Sequence, residues 1–544
     1  MTVLSRLVGR LAKLPAAETY DVLVERDMKV PMPDGVVLLA DRYAPRGAER
    51  LPTILVRSCY GRRGFFGLLL GPLFAERGFQ VVIQSTRGTF GSSGRFEPFS
   101  EEHDDGLATV AWLKQQPWFN GSLATNGASY LGFVQWAIAR DAGPELKAMA
   151  VQVTVSDFYG ETYPGGSFAL DTMLSWSHLM SVQEKPLGMV RQMLGGRKLR
   201  FAFAHLPLRD VDEIANGEHA AFFQTWLEHT EQGDAYWKAI DFSETVKDVT
   251  AEINMVGGWY DIFLPWMLND YHALRATGKR PYLTIGPWAH TTPELIYASL
   301  RESLAWFRAS LLGDRSQLRQ APVRIFVTGA NEWREFADWP PPGTRHQRFY
   351  LQAGKGLAQD MPAASEPDRY RYDPANPTPS VAGPLLMGKA LPTDNRQLES
   401  RPDVLTYTTA PLEQDLEVIG PVQVELFARS SLQYTDFFAR LCDVDATGKS
   451  LNVCDALVRV VPGGQEVTAD GCLRVIIDLW PTAHRFLRGH RVRLQVSSGA
   501  HPRYARNTGS GEPLASATKL IAADQSIYHD PDHPSGVVLS VWSE

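Results

Sequence analysis

Cysteine is scarce in this chain: four among 544 residues, at positions 59, 442, 454 and 472. None forms a C-x-x-C pair and none stands near a histidine pair, which excludes a disulfide-built scaffold and a zinc module of the usual spacing. They read as buried small hydrophobic side chains, and their use requires no oxidising compartment. Absent too is any run of about 18 uninterrupted apolar residues, so no transmembrane segment is expected. Positive charge is not in excess. Lys and Arg number 54 against 61 Asp and Glu, a formal net charge of −7 that argues against nucleic acid or an anionic membrane as partner. There is no internal repeat and no low-complexity tract. A secretory signal is also missing: Leu4, Leu7, Val8 and Leu11 recur at helical spacing, but Arg6, Arg10 and Lys13 interrupt them and no small-residue cleavage site follows. The segment reads as a short amphipathic helix, docked or frayed, in preference to a membrane-surface anchor. A cytoplasmic location is expected.

What is present is an ordinary globular composition, 44% hydrophobic and 21% charged. A chain this long exceeds one compact core, so about two to four domains are expected. From Tyr20 to about residue 150, strand signals (Thr53–Arg57, Gln80–Gln84, Lys147–Val153) alternate with helical ones (Phe66–Glu76, Asp104–Gln115). That alternation predicts an α/β domain with a mostly parallel sheet covered on both faces. Asp171–Met180, Leu187–Met193 and Phe222–Glu228 then read as helices, and strand signals resume at Ile253–Gly257 and Tyr282–Gly286. A helical insert between two stretches of one sheet reads as a cap over the carboxyl end, where α/β sheets keep their sites. Beyond about residue 318, strand-length runs such as Val422–Ala428 and Leu473–Leu479, separated by Gly and Pro clusters, predict a β-sandwich or jelly roll. Asp373–Leu398 reads as a long ordered loop. The expected division is 20–156 with 246–317 as the catalytic domain, 157–245 as the cap and 318–544 as the sandwich.

Ser129 lies in Gly127-Ala128-Ser129-Tyr130-Leu131-Gly132, between an apolar run at 122–125 and a helical pattern over Phe133–Arg140. A serine on a sharp strand-to-helix turn with small neighbours is the sequence form of a nucleophile elbow. Its hydroxyl needs a base, and the base needs a third group to fix its tautomer. In α/β-hydrolases these follow in the order acid, then histidine, each after a later strand. Asp261 follows the strand at Ile253–Gly257, in a Gly-x-x-Asp turn; His290 follows that at Tyr282–Gly286, in a Gly-x-x-x-His turn. Singly, a loop aspartate is more often a helix cap, here for a helix near Phe263, and a histidine more often a core or surface residue. Three residues in the required order at three strand ends carry the reading together.

The series Arg57-Ser58-Cys59-Tyr60-Gly61, Thr86-Arg87-Gly88 with Ser93-Gly94, the elbow, Gly257-Gly258-Trp259-Tyr260-Asp261 and Ile285-Gly286-Pro287-Trp288-Ala289-His290 resembles the CocE/NonD hydrolases. That group includes bacterial cocaine esterase and is related to the Xaa-Pro dipeptidyl-peptidases (S15) and the α-amino-acid ester hydrolases. The likeness runs from Val30–Gly35 to Asn331-Glu332-Trp333-Arg334 and Thr435-Asp436-Phe437. It implies an α/β-hydrolase domain, a helical cap and a C-terminal jelly roll. It also implies an oxyanion hole made by the Tyr130 N–H and the Tyr60 hydroxyl, and a neutral phenol is suited to that task. Ser85 departs from the aspartate common before Thr-Arg-Gly, which removes an expected partner for Arg87. Leu131 stands where the general G-x-S-x-G has glycine.

The reading is a serine hydrolase cleaving an acyl ester, with no metal and no cofactor. Trp259, Phe263, Trp266 and Trp288 cluster around the triad loops and suggest an aromatic acyl pocket. The implied partner is a small-molecule ester or amide; a homo-oligomer is left open. One alternative is an Xaa-Pro dipeptidyl-peptidase or other amide or acylase hydrolase; for the peptidase, the anionic site for the substrate α-ammonium would come from Glu161, Asp171 or Glu228. Against it, Asp261 is followed by Ile262, Phe263, Leu264 and Pro265, all apolar. The other alternative is a non-catalytic binding role for the sandwich, which an intact triad disfavours.

Overall fold

The computed structural model describes residues 3–48 and 50–543, without the side chains of Val3, Leu4, Phe66, Met189 and Met193. The chain forms two compact units. One gathers the chain up to Phe158 with Gln232–Gly258 and Phe263–Pro322; the other gathers Tyr159–Glu231, Trp259–Ile262 and the chain from Val323.

The first unit is built on strands β1 (Val22–Pro31), β2 (Val37–Pro45), β3 (Thr53–Ser58), β4 (Gln80–Ser85), β5 (Leu123–Ala128), β6 (Leu146–Gln152), β7 (Glu252–Tyr260) and β8 (Tyr282–Ala289), in the order β1-β2-β4-β3-β5-β6-β7-β8. The pairs β4–β3, β3–β5, β5–β6 and β6–β7 are parallel, while β1–β2 and β2–β4 are antiparallel. Every residue of β3 and β4 is buried, as apolar strands covered on both faces require. Helices α1 (Val3–Leu11), α2 (Gly64–Ala75), α3 (Glu102–Lys114) and α4 (Tyr130–Ala139) belong to this unit; all ten residues of α4 are buried. The N-terminal helix docks differently from its apolar stripe. Ser5 donates to Glu76 at 2.5 Å and Val8 is buried, while Leu7 and Leu11 are about half exposed. The Leu4 side chain lies outside the described residues.

In the second unit the helical insert carries α5 (Leu170–Val182), α6 (Gly188–Leu194), α7 (Gly196–Ala204) and α8 (Ala221–Glu228). It packs on the antiparallel strands: Ala505 N–H donates to the Phe168 carbonyl at 2.8 Å, Asp171 N–H to Pro502 at 3.0 Å and Arg209 N–H to Ala515 at 2.9 Å. Leu416–Ser430 pairs with Leu473–Phe486, and Thr435–Val444 lies between Ser450–Val460 and Arg491–Ser497, all antiparallel. Asp455 is fully buried between Arg440 and Arg503. The long segment after Tyr372 is irregular but tied down, with Ser380 N–H on the His501 carbonyl at 2.7 Å and Arg440 on the Val381 carbonyl at 2.6 Å.

The insert of this unit is shorter than the expected 157–245. Residues 232–245 group with the first unit, where Trp237 meets Phe158 (6.5 Å between centroids), Phe242 meets Phe133 of α4 (5.7 Å), and Phe242 N–H bonds the Ser156 carbonyl at 3.0 Å. The first unit also contains a short helix at Ala235–Ala239 and the longer α9 (Leu264–Ala276) and α10 (Pro293–Leu312). All four cysteines are buried thiols. Among the described residues no helix is long and apolar enough to cross a membrane.

Candidate active site

Ser129 sits between β5 and α4 with φ 58° and ψ −127°, a conformation that β-carbon-bearing residues avoid and that is held only where surroundings over-determine it. Here they do. The Ser129 N–H reaches the carbonyls of Gln152 (2.9 Å) and Val153 (3.1 Å), its carbonyl accepts from Thr154 Oγ1 (2.8 Å), and the first turn of α4 closes on the same carbonyl through Gly132 at 2.8 Å. Two glycines make the turn sterically feasible. A β-carbon on Gly127 would stand 2.4 Å from Leu131 Cβ, and one on Gly132 would stand 2.4 Å from Thr154 Cβ. The serine is half-buried at the mouth of this turn, with the N-terminus of a ten-residue helix starting at the next residue.

Tyr60 follows β3, the parallel neighbour of β5, so Tyr60 and Ser129 leave the same sheet edge on adjacent strands. Tyr60 is half-buried and its N–H bonds Ser58 Oγ at 3.1 Å. His290 directly follows β8, half-buried, its ring edge-on to Phe263 at 5.4 Å. The turn after it is fixed by Ala289 N–H on Thr292 Oγ1 (2.9 Å) and Thr292 N–H on the Ala289 carbonyl (3.1 Å). Asp261 directly follows β7 and is 1% exposed. It is not the cap of α9, whose N-cap residue is Phe263.

The structure corrects the roles of the flanking glycines. Both strands run further than their apolar cores suggest, so Gly258 and Gly286 lie inside β7 and β8 and not in turns. What requires glycine there is Trp288: a β-carbon on Gly258 would meet its carbonyl at 2.3 Å, and one on Gly286 would meet its indole at 2.4 Å.

The four aromatic residues divide. Trp288 is packed in a core cluster with Val153, Val256, Leu295 and Ala298. Trp259 donates its indole N–H to the Phe326 carbonyl at 2.6 Å and packs on Trp339. Both side chains are buried in these packings. Phe263 packs edge-on against the His290 ring, and Trp266 is half-buried. Of the acids considered for an ammonium site, Glu228 is exposed. Burial pushes Asp171 up to about 7 even though the N–H groups of Met387 and Leu386 bond its carboxyl. Glu161 is driven well above the usual carboxylate range by burial and then by repulsion from Asp261. At about 7 Asp171 is close to half ionised near neutral pH, while Glu161 is biased to its neutral form.

A buried network beneath the elbow escapes motif reading. Tyr130 turns its phenol inward, donating to Glu102 at 2.7 Å and accepting from Phe99 N–H at 3.0 Å, and Glu102 pairs with Arg57 at 2.7 Å. Burial and the Glu102 charge push the Tyr130 phenol well up, so it stays neutral. The available signal was Arg57 itself, a cation in a strand otherwise fit only for the core. Ser85 is also explained: it accepts from Arg62 at 3.2 Å, while Arg87 is held by Asp105 at 2.6 and 3.0 Å and by Asp34 at 2.6 Å.

Comparison with known proteins matches residues 34–292 to the X-Pro dipeptidyl-peptidase (S15) family and 318–538 to the X-Pro dipeptidyl-peptidase C-terminal non-catalytic domain. The chain is 32% identical to a cocaine esterase of Rhodococcus sp. (strain MB1 Bresler), over 95% of this chain and 98% of that protein. An α-amino acid ester hydrolase structure superposes with a TM-score of 0.82 at 24% identity, covering 97% of this chain and 98% of the other. An aminopeptidase from a marine-sediment Thaumarchaeota archaeon gives 0.80 at 23%, with the same coverages. At those identities the two structures establish the fold.

Proposed function

Because the chain belongs to the CocE/NonD group of S15 serine hydrolases, we propose that it cleaves acyl esters through a covalent acyl-enzyme on Ser129. The observation that carries this reading is the strained Ser129 backbone, at φ 58°, locked between β5 and α4 by Gln152, Val153 and Thr154. In the proposed reaction Ser129 Oγ attacks the ester carbonyl while His290 takes its proton, and Asp261 holds the imidazole in the accepting tautomer. The carbonyl oxygen becomes an oxyanion, held by the Tyr130 N–H and the Tyr60 hydroxyl. Collapse breaks the C–O bond, and His290 returns the proton to the leaving alcohol. Water, deprotonated by the same histidine, then attacks the acyl-serine; the Oγ–C bond breaks, His290 returns the proton to Ser129 Oγ, and the acid is released.

Two observations favour ester over dipeptide release. The segment after Asp261 is apolar. The relative at 32% identity is an esterase by name. A panel of aryl and acyl esters, amides and dipeptidyl-proline anilides tests the choice. We expect kcat/KM on the best ester to exceed that on the anilide by at least about 10²-fold. Efficient anilide release that disappears on N-acetylation would instead establish a peptidase with a carboxylate in the helical insert.

A further inference from the structure

The net charge of −7 conceals one strongly basic stretch. From Lys185 to Arg209 the chain carries Lys185, Arg191, Arg197, Lys198, Arg200 and Arg209, and no acid. This stretch contains α6 and α7, joined at Gly195-Gly196. Its inner side is fixed: Leu199 and Ala202 are buried, and Gly195 lies so close to α5 that a β-carbon would stand 2.2 Å from the His178 ring. Its outer side carries four large apolar side chains with no core to enter. Leu187 is 76% exposed, Leu194 75%, Phe201 68% and Val190 47%. Leu187 also adopts a left-handed backbone (φ 58°), where glycine or asparagine would be easier, so neither burial nor backbone geometry accounts for a leucine there.

The cations between these side chains are uncommitted. Arg191 and Arg200 donate only to the carbonyls of Pro186 and Gly196, and Arg197 and Lys198 make no ion pair among the described residues. Buried, strand-borne arginines such as Arg42, Arg57 and Arg440 are by contrast paired with carboxylates. Exposed apolar side chains interleaved with unpaired Lys and Arg match an interface with a charged polar layer over an apolar one. Long basic stems can lie along the apolar side chains while their heads reach phosphates. Nucleic acid would use the cations but leave four apolar side chains in water.

We propose that the α6–α7 tip is a peripheral docking surface for anionic lipid. The apolar side chains enter the headgroup–acyl boundary and the cations supply the preference for negative headgroups. The test is flotation of the full-length protein with vesicles of phosphatidylcholine alone or of equal parts phosphatidylcholine and phosphatidylglycerol. Wild type should float with the anionic vesicles, lose most of that binding at raised salt, and bind the neutral ones far less. Leu187→Ser/Leu194→Ser/Phe201→Ser and, separately, Arg197→Glu/Arg200→Glu should each reduce binding at least about 10-fold while leaving thermal stability and turnover of a soluble ester unchanged. Absence of flotation would overturn the proposal. So would binding that survives both variants and is lost in Leu7→Ser/Leu11→Ser, which would assign the lipid contact to α1. If the triple serine variant instead lowers the solution mass of a protein that ignores vesicles, the face joins two copies of this chain.

Discussion

Ser129 pays its conformational strain out of four contacts to its backbone, and in the proposed reaction this is the level at which the nucleophile is prepared before any substrate arrives. Tyr60 belongs to the same scale. It leaves β3 beside the strand that delivers Ser129, and replacing it with phenylalanine removes a hydroxyl and almost no volume. We expect Tyr60→Phe to lower kcat by roughly 10²–10³-fold, about 3–4 kcal/mol, with a much smaller change in KM. A variant with near-wild-type kcat would mean that the second oxyanion donor is another group. Steady-state kinetics on one ester distinguishes the outcomes.

At the scale of elements, the most informative contact is between α9 and the segment following β6. Asp270 of α9 accepts from both the backbone N–H (3.1 Å) and the hydroxyl of Ser156. Burial pushes Asp270 up to about 8 from an ordinary 3.8. Between those values the folded chain keeps a proton that the unfolded chain has released, so this group lowers stability as pH rises through the interval. Asp270→Asn keeps the shape and removes the titration. Its stability relative to wild type should therefore improve from pH 5 to pH 8, by on the order of 2–4 kcal/mol. Denaturant unfolding at the two pH values measures this, and a constant difference would contradict it. Elements were largely legible in the sequence where one period dominates. The buried runs of β3, β4 and β6 and the helical runs of α3, α5 and α8 lie within a few residues of expectation. Strands β7 and β8 were cut short at glycines, because Gly258 and Gly286 read as turn residues when their purpose is to admit Trp288. The pairing of Tyr130 with Glu102 and Arg57 was illegible, since nothing local in a sequence announces which buried polar groups will meet across sequence separations of 28 and 45.

For the whole molecule, composition and alternation were enough to anticipate an α/β unit with a helical insert and a C-terminal antiparallel β unit. They did not show that the insert would associate with the β unit. That depends on backbone bonds such as Ala505 to Phe168 and Arg209 to Ala515, between segments hundreds of residues apart. Hydrogen exchange followed by mass spectrometry should find peptides of Tyr159–Glu231 opening together with those beyond Val323; opening with peptides of β3 to β6 would contradict that grouping. The central claim is that one serine among many is activated. Treating the protein with an aryl or alkyl phosphonate fluoride and weighing it intact tests this most directly, followed by peptide mapping. The account predicts a single adduct per chain, carried by Ser129, and none on Ser129→Ala protein that folds normally. An adduct on Ser93 or Ser167, or labelling that survives Ser129→Ala, would contradict it.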